Sequence, residues 1–298
     1  MTVFLQVLTL FLLILCGFGA AKTRLLNDEN LRGLNTFVLT FAQPAMILHR
    51  LQTPASGELI AELMWVFALT CLSIGLAGVI AFRLFAKEEP QRRAVLTNLS
   101  MVSNCGFMGY PVIIATMGQD ALIYAVIFVA AFNLMCWTLG SFYFGGRKAM
   151  QPQKLLTNPT IWAIAGGMLL FLTGWTLPGF VNDALSMLGG TTTPLAMFVI
   201  GARLISLRLE HIKDTRLLLV CGLRLVIFPA MILLLRLTPL PEMVVSSVYL
   251  CTAMPCAALT AMQAERYDCD RELASRGVAL STALSMATVP LMLMLLPA

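Results

Sequence analysis

The sequence has little charge, since only 12% of its 298 residues are charged and 59% are hydrophobic. A soluble globular domain has about 25% charged residues. The composition is therefore typical of a protein with many membrane spans, embedded in lipid. The net charge of +5 is not spread along the chain, so we expect no nucleic-acid partner.

The sequence also lacks motifs that are typical of enzymes and of cofactor binding. The chain has no HExxH, no Walker A motif and no pair of acidic residues within an apolar segment, and its two histidines, His49 and His211, lie at segment ends. These absences argue against a metalloprotease, an ATP-driven pump and an intramembrane aspartyl protease. We therefore expect no enzyme, no metal and no cofactor, and leave coupling to Na⁺ or H⁺ open. At least six of the eight cysteines lie in apolar stretches without a CxxC pair, as small buried hydrophobes do.

What the chain does have is a series of apolar segments near the spanning length of about 20 residues. Ten are predicted, at 2–20, 31–49, 60–85, 94–117, 120–144, 156–176, 184–207, 216–236, 241–263 and 274–296. The first has no basic residue before its apolar run, so we interpret it as an uncleaved span rather than a signal peptide. The sequence thus predicts an all-α polytopic membrane protein with ten transmembrane helices.

Basic residues follow these segments in alternation. All of them except Arg50, Arg224 and Arg236 lie in or beside the odd-numbered loops, among them Arg208 and Lys213. Basic loops stay cytoplasmic. The odd loops are therefore predicted inside and both termini outside, in a bacterial cytoplasmic (inner) membrane.

Prolines recur in corresponding places of the two halves. Pro44 in segment 2 corresponds to Pro194 in segment 7, and Pro111 in segment 4 corresponds to Pro255 in segment 9. Because each half has five spans, an odd number, the second half enters the membrane in the opposite sense. The pattern predicts a 5+5 inverted repeat, and interrupted segments in matching positions indicate the binding site of a transporter.

The stretch SNCGFMGYP, residues 103–111, is the clearest interruption. Segments 4 and 9 are predicted to be broken helices that cross, with breaks at Gly106–Pro111 and Met254–Cys256. Free amides and half-helix dipoles at such breaks can hold an anion or a coupling cation. The alternative is a proline kink whose backbone groups are satisfied by neighbouring helices.

Several further stretches carry a family resemblance. They are FNLMCW at 132–137, LTNPTIWAIAGGMLL at 156–170, TTTPLAMFVIGARL at 191–204, LRLVIFP at 223–229 and TAMPCAAL at 252–259. Together with SNCGFMGYP and in this order, they resemble the auxin efflux carrier family, which includes plant auxin carriers and bacterial malonate and malate carriers. The chain has Leu259 where many bacterial relatives place a polar residue, and Thr260 and Gln263 are the nearest polar residues.

The resemblance implies an architecture and a mechanism. Residues 1–55 and 151–210 would form a scaffold that dimerises, and residues 56–150 and 211–298 would form a transport domain. Movement of that domain would give alternating access of the elevator type. The implied partners are a small organic anion, membrane lipid and a second copy of the chain.

The candidate substrate-binding residues lie at the two predicted breaks and on the segments that would face them. They are Asn104, Cys105, Gly106, Gly109, Tyr110, Pro111, Asn133, Met254, Pro255, Cys256, Ala257, Thr260, Gln43, Thr193 and Arg224. Arg224 is the one cation well inside a span. It is either a counter-charge for substrate or a gate, or a structural residue that pairs with backbone carbonyls or extends to the cytoplasmic face.

The function predicted from these observations is secondary transport of an organic acid anion, a mono- or dicarboxylate. None of the fifteen acidic residues lies near the centre of a segment, so no carboxylate would repel such an anion. A channel, or a transporter-like sensor that binds a small anion, is the alternative that the sequence leaves open.

Overall fold

The structure is a computed structural model that describes residues 2–53, 55–206 and 214–296. Arg208, His211, Lys213 and the predicted domain boundary at 210/211 lie outside the described residues. The described chain is all-helical, with one isolated antiparallel bridge and no strand. The α-helices are α1 (Thr2–Lys22), α2 (Asp28–Phe37), α3 (Gln43–Arg50), α4 (Gly57–Leu84), α5 (Pro90–Met101), α6 (Tyr110–Met117), α7 (Leu122–Met135), α8 (Ser141–Gly145), α9 (Pro159–Thr173), α10 (Gly179–Gly190), α11 (Thr192–Arg203), α12 (Thr215–Gly222), α13 (Phe228–Leu233), α14 (Glu242–Ala253), α15 (Leu259–Arg266) and α16 (Arg271–Leu293).

π-helical turns join several of these helices end to end. Those at Val38–Ala42, Cys105–Gly109 and Leu223–Ile227 run directly into α3, α6 and α13. In each case a proline is the second residue of the helix that follows: Pro44, Pro111 and Pro229. Proline lacks an N–H, and its ring clashes with the carbonyl four residues earlier in an α-helix. The wider π turn accommodates the proline without ending the helix. A fourth π turn, Cys136–Gly140, joins α7 to α8 without a proline.

Among the described residues, five helical stretches are long and apolar enough to cross a membrane, or six if a pair bent by 60° at Asn158 is one span. The five are Gly57–Leu84, Gln119–Gly145, Gly179–Arg203, Thr215–Leu237 and Arg271–Leu293. The predicted number of ten spans is therefore not confirmed by length and composition. Segments 4 and 9 are absent from the five because each is interrupted, and a half-helix is too short to span about 30 Å of hydrocarbon alone.

Close backbone contacts hold one group of helices together. A Cβ atom on Gly17 of α1 would lie 1.9 Å from the carbonyl oxygen of Phe198, and one on Gly201 of α11 would lie 1.8 Å from that of Ile14. Helices α9 and α10 pack on α3, where a Cβ on Gly189 would lie 2.7 Å from the Cα of Met46. Small residues allow this close approach, which favours helix association in a membrane.

The remaining long helices pack against one another. Helix α4 contacts α5 and α7, and α12 and α16 contact each other as well as α5. Helix α14 contacts α13, α4 and α7. A Cβ on Gly277 of α16 would lie 2.5 Å from a methyl of Leu99, so α16 also approaches α5 closely.

Polar contacts join the loops in two sets. Among the odd-numbered loops, Arg216 pairs with Glu88 at 2.7 Å, and the Tyr267 hydroxyl donates to the carbonyl oxygen of Ala149 at 2.9 Å. Among the even-numbered loops, the amide of Leu177 donates to Gln52 at 2.8 Å. The described contacts between loops thus join odd to odd and even to even.

Candidate functional site

The interruption of segment 4 lies earlier than the glycines and proline indicate. Helix α5 ends at Met101, residues 102–104 are not helical, and the helix resumes at Cys105. The predicted break at Gly106–Pro111 is therefore wrong, because those residues belong to the π turn and the first turn of α6. Pro111 is tolerated there as the second residue of α6.

The interruption of segment 9 agrees with its predicted position. Helix α14 ends at Ala253, Met254 is extended with φ −68° and ψ 150°, and α15 begins at Leu259. Met254, Pro255 and Cys256 are all buried.

The two interruptions pair with each other. Ser103 and Cys256 form an antiparallel bridge, the amide of Asn104 donates to the carbonyl oxygen of Pro255 at 2.7 Å, and that of Ala257 donates to Val102 at 3.0 Å. The amide of Cys256 donates to Oγ of Ser281 at 3.1 Å. The crossing itself therefore occupies the amides of Cys256 and Ala257 in this structure.

Donors do remain at the start of the helix Cys105–Met117. The amides of Cys105, Gly106 and Phe107 have no backbone acceptor in the described chain, and among side chains the Cys105 thiol lies within reach of the first two. The Asn104 side chain, which is half-buried, makes no hydrogen bond to any described residue. An unengaged amide side chain therefore occupies the N-cap position, at the positive end of the helix dipole.

Two further predicted residues lie beside this helix start. Gln43 of α3 is 2% exposed, and its Nε2 would lie 3.2 Å from a Cβ on Gly106. Its Oε1 has no donor among the described residues, and its side chain lies beside the buried hydroxyl of Tyr110. Gln43 therefore borders both Gly106 and the Tyr110 hydroxyl.

Arg224 contacts carbonyl oxygens just before the two interruptions. Its Nη1 donates to the carbonyl oxygens of Ser100 at 3.3 Å and Met101 at 3.2 Å, and its Nη2 donates to that of Thr252. These carbonyls lie at the C-terminal ends of α5 and α14, the negative ends of both helices. Arg224 is 2% exposed and borders a cavity of about 10 Å³, room for one water molecule.

The other predicted residues are engaged or lie on other faces. Asn133 donates to the carbonyl oxygen of Val129 at 2.8 Å and accepts from Asn158 at 3.0 Å, so both of its polar atoms have partners. Thr193 is half-buried in the first turn of α11. Thr260 is fully buried on α15, and its hydroxyl has no partner in the part of the chain that the structure describes.

Sequence reasoning missed Ser103, Ser281 and Asn98, and it named Gln263 only as a polar residue near Leu259. Ser103 forms the bridge to Cys256, Ser281 accepts from the amide of Cys256, and Asn98 and Gln263 are fully buried amides on α5 and α15. Their sequence signal is only that each is a polar residue in an apolar segment.

Comparison with known proteins gives a consistent result. A family model described as "Membrane transport protein" matches residues 2–153 and 148–293. The chain is 30% identical over 295 residues to an uncharacterized transporter of Methanothermobacter thermautotrophicus, which covers 96% of this chain and 95% of that protein. It is 25% identical over 299 residues to an uncharacterized transporter of Methanocaldococcus jannaschii, with 96% of each chain covered. The chain therefore belongs to the membrane transport protein family, of the auxin efflux carrier type.

Proposed function

We propose that this protein is a secondary transporter that moves an organic acid anion across the cytoplasmic membrane by alternating access. The observation that carries the proposal is that the negative helix ends at the paired interruptions have a compensating charge and the positive end of one helix does not. Arg224 compensates the negative ends of α5 and α14, whereas the positive end of the helix Cys105–Met117 keeps three amides without backbone acceptors. The remaining field favours a negative ligand.

Side chains at the same place suit a carboxylate. Asn104 offers an NH₂ donor, and Nε2 of Gln43, beside Gly106, offers a second one. The described acidic side chains near helix ends, such as Glu62, bonded to Tyr124, and Glu88, bonded to Arg216, are engaged elsewhere. A carboxylate bound at Asn104 would therefore meet donors and no competing acid.

The proposed topology is ten spans in two halves of five, with opposite orientations and both termini outside. The family model matches the chain twice, once in each half, as duplication would produce. The packing of α1 on α11 corresponds under the repeat to that of α9 on α3, and the contacts of α4 with α7 correspond to those of α12 with α16. The separate polar contacts of odd and even loops also fit this arrangement.

The elevator mechanism, with a scaffold that dimerises in the lipid bilayer, is part of the proposal. Helices α1, α3, α9, α10 and α11 form the first group: α1 packs closely on α11, α9 and α10 pack on α3, and α10 contacts α11. The interruptions belong to the other group, the predicted transport domain. Movement of that domain would carry the anion site past the scaffold helices. Gln43, on α3, would then contact the site in only one position of the movement.

The test is counterflow in proteoliposomes with the purified protein. We would first measure which mono- or dicarboxylates raise its melting temperature, because a ligand that binds only the folded state stabilises it. Labelled carboxylate should then exchange against an unlabelled gradient, as a sensor would not allow. Asn104→Ala should weaken carboxylate binding roughly ten- to hundredfold, the loss of one hydrogen bond to a charged ligand.

The matched control is Asn35→Ala. Asn35 is also half-buried, lies on α2 away from the interruptions, and should leave binding unchanged when it is replaced. Unchanged affinity in a well-folded Asn104→Ala protein would refute the site, and the absence of counterflow with any stabilising carboxylate would refute transport.

A further inference from the structure

Two fully buried amide side chains lie on either side of the π turn Cys136–Gly140. Asn98 of α5 donates through Nδ2 to the carbonyl oxygens of Ala94 at 3.1 Å and Gly140 at 3.3 Å. Gln263 of α15 donates through Nε2 to the carbonyl oxygen of Cys136 at 3.0 Å. Both NH₂ groups are therefore held by backbone carbonyls, which fixes the orientation of both amides.

The oxygens of the same two amides have no donor. Asn98 Oδ1 and Gln263 Oε1 are buried without a hydrogen-bond partner in the described chain. They converge on Gly140: a Cβ there would lie 3.0 Å from Asn98 Oδ1 and 3.7 Å from Gln263 Oε1. The carbonyl oxygen of Met135 lies 3.7 Å from the same point and also accepts from the Thr138 hydroxyl at 3.5 Å. Three oxygens from α5, α7 and α15 thus surround a place that only glycine leaves open.

The chemistry of this cluster favours a cation over water. None of these three groups would donate to the oxygen of a water molecule placed between them. A cation is satisfied by oxygen ligands alone.

The charge of the ligands decides which cation. All three oxygens are neutral amide or carbonyl oxygens, and divalent cations in proteins are held largely by carboxylates. Unwound backbone and half-helix C-terminal ends supply the carbonyl oxygens that bind Na⁺ in membrane transporters with broken helices. We propose that Na⁺ binds between Asn98 Oδ1, Gln263 Oε1 and the carbonyl oxygen of Met135.

A neighbouring hydroxyl extends the site. Thr260 lies three residues before Gln263 and so on the same face of α15, and its buried hydroxyl has no partner among the described residues. The site also adjoins the paired interruptions, because the amide of Val102 donates to the carbonyl oxygen of Asn98 at 2.9 Å. Coupling of this Na⁺ to anion movement rests on the proposed function, whereas Na⁺ binding itself does not.

The experiment uses the purified full chain and Na⁺ alone, without organic acid. Melting temperature is measured as NaCl replaces choline chloride at constant ionic strength. We expect the melting temperature to rise with Na⁺ and to saturate. Gln263→Met should weaken the apparent Na⁺ affinity about tenfold or more, as should Gly140→Ala, which fills the space between the oxygens.

Two control variants separate the site from general stability. Gln263→Glu keeps an oxygen at the position and should bind Na⁺ at least as tightly as the unmodified protein. Gln52→Met removes a hydrogen-bonded glutamine in an even-numbered loop and should leave the Na⁺ response unchanged.

Equal melting temperatures of the unmodified protein in NaCl and choline chloride would overturn the proposal. So would a Na⁺ response that is undiminished in both Gln263→Met and Gly140→Ala. If either variant does not fold, equilibrium binding of radiolabelled Na⁺ to the unmodified protein is measured instead, and the absence of binding would overturn the proposal. Stabilisation by a carboxylate without any Na⁺ response would overturn this site and leave the proposed function standing.

Discussion

Replacement of Arg224 by methionine separates a structural role from a substrate role. The guanidinium group donates to three buried carbonyl oxygens at the ends of α5 and α14. Methionine retains much of the side-chain length and removes every donor. We therefore expect Arg224→Met to destabilise the protein and to loosen the crossing, with a smaller direct effect on anion affinity.

The magnitude follows from two opposing terms. Three carbonyl oxygens left without donors would cost about 1–3 kcal/mol each. Removal of a charge from the membrane interior recovers about 2.5–3.5 kcal/mol. At the midpoints of these ranges the net loss is about 3 kcal/mol, or a fall of about 6–12 °C in melting temperature by the size scaling of larger domains.

The assay is thermal unfolding of the purified variants, followed by equilibrium carboxylate binding. Arg224→Lys keeps the charge with fewer donors and should lie between the other two proteins. Arg271→Met is the control: Arg271 pairs with Glu265 at 2.7 Å on the surface, so its loss should cost at most about 1 kcal/mol. An unchanged melting temperature in Arg224→Met, together with carboxylate binding weakened as much as in Asn104→Ala, would show that Arg224 binds substrate and would refute the structural role.

The remaining predictions concern helix packing, steric access and topology. Gly17→Ala should lower the melting temperature markedly, because the new methyl would overlap the carbonyl of Phe198. The control, Gly19→Ala on the same helix, meets nothing within 4 Å and should be neutral or stabilising. Equal melting temperatures of the two variants would contradict the close contact. Gly109→Val should abolish counterflow, because a Cβ there already lies 3.5 Å from Met254 and the two γ-methyls need more space; normal transport by that variant would show that the position is open. A Met150→Cys variant in a cysteine-free background should react only with reagents that reach the cytoplasmic face, and labelling by an impermeant external reagent would reverse the proposed topology.

The position of one interruption could be predicted from sequence and that of the other could not. Pro255 lies inside its interruption, so the local signal and the break coincide in segment 9. In segment 4 the break falls at residues 102–104, before the glycines and Pro111, since the backbone there pairs with residues 255–257. Such pairing joins stretches far apart in the chain, and local propensity carries no information about it.

The site shows the same division between local and long-range information. The chemistry of Asn104 and Gly106 alone predicts them as site residues, whereas it is the structure that brings Gln43 of α3 beside Gly106. Of the two interpretations of Arg224, the structure shows the carbonyl contacts. Asn98 and Gln263 could not be predicted as a pair, because they meet only through the π turn on α7.

The π turns before Pro44, Pro111 and Pro229 have a consequence for how this chain can change in evolution. Each amounts to about one residue more than an α-helix needs, and one residue corresponds to a rotation of about 100° about the helix axis. Deletion of a single residue between Cys105 and Gly109 would restore a regular helix and turn Tyr110 away from Gln43. The rotation of the side chains beyond each π turn therefore depends on one extra residue, and gain or loss of one codon in this chain would redirect a whole helical face without altering any of the side chains on it.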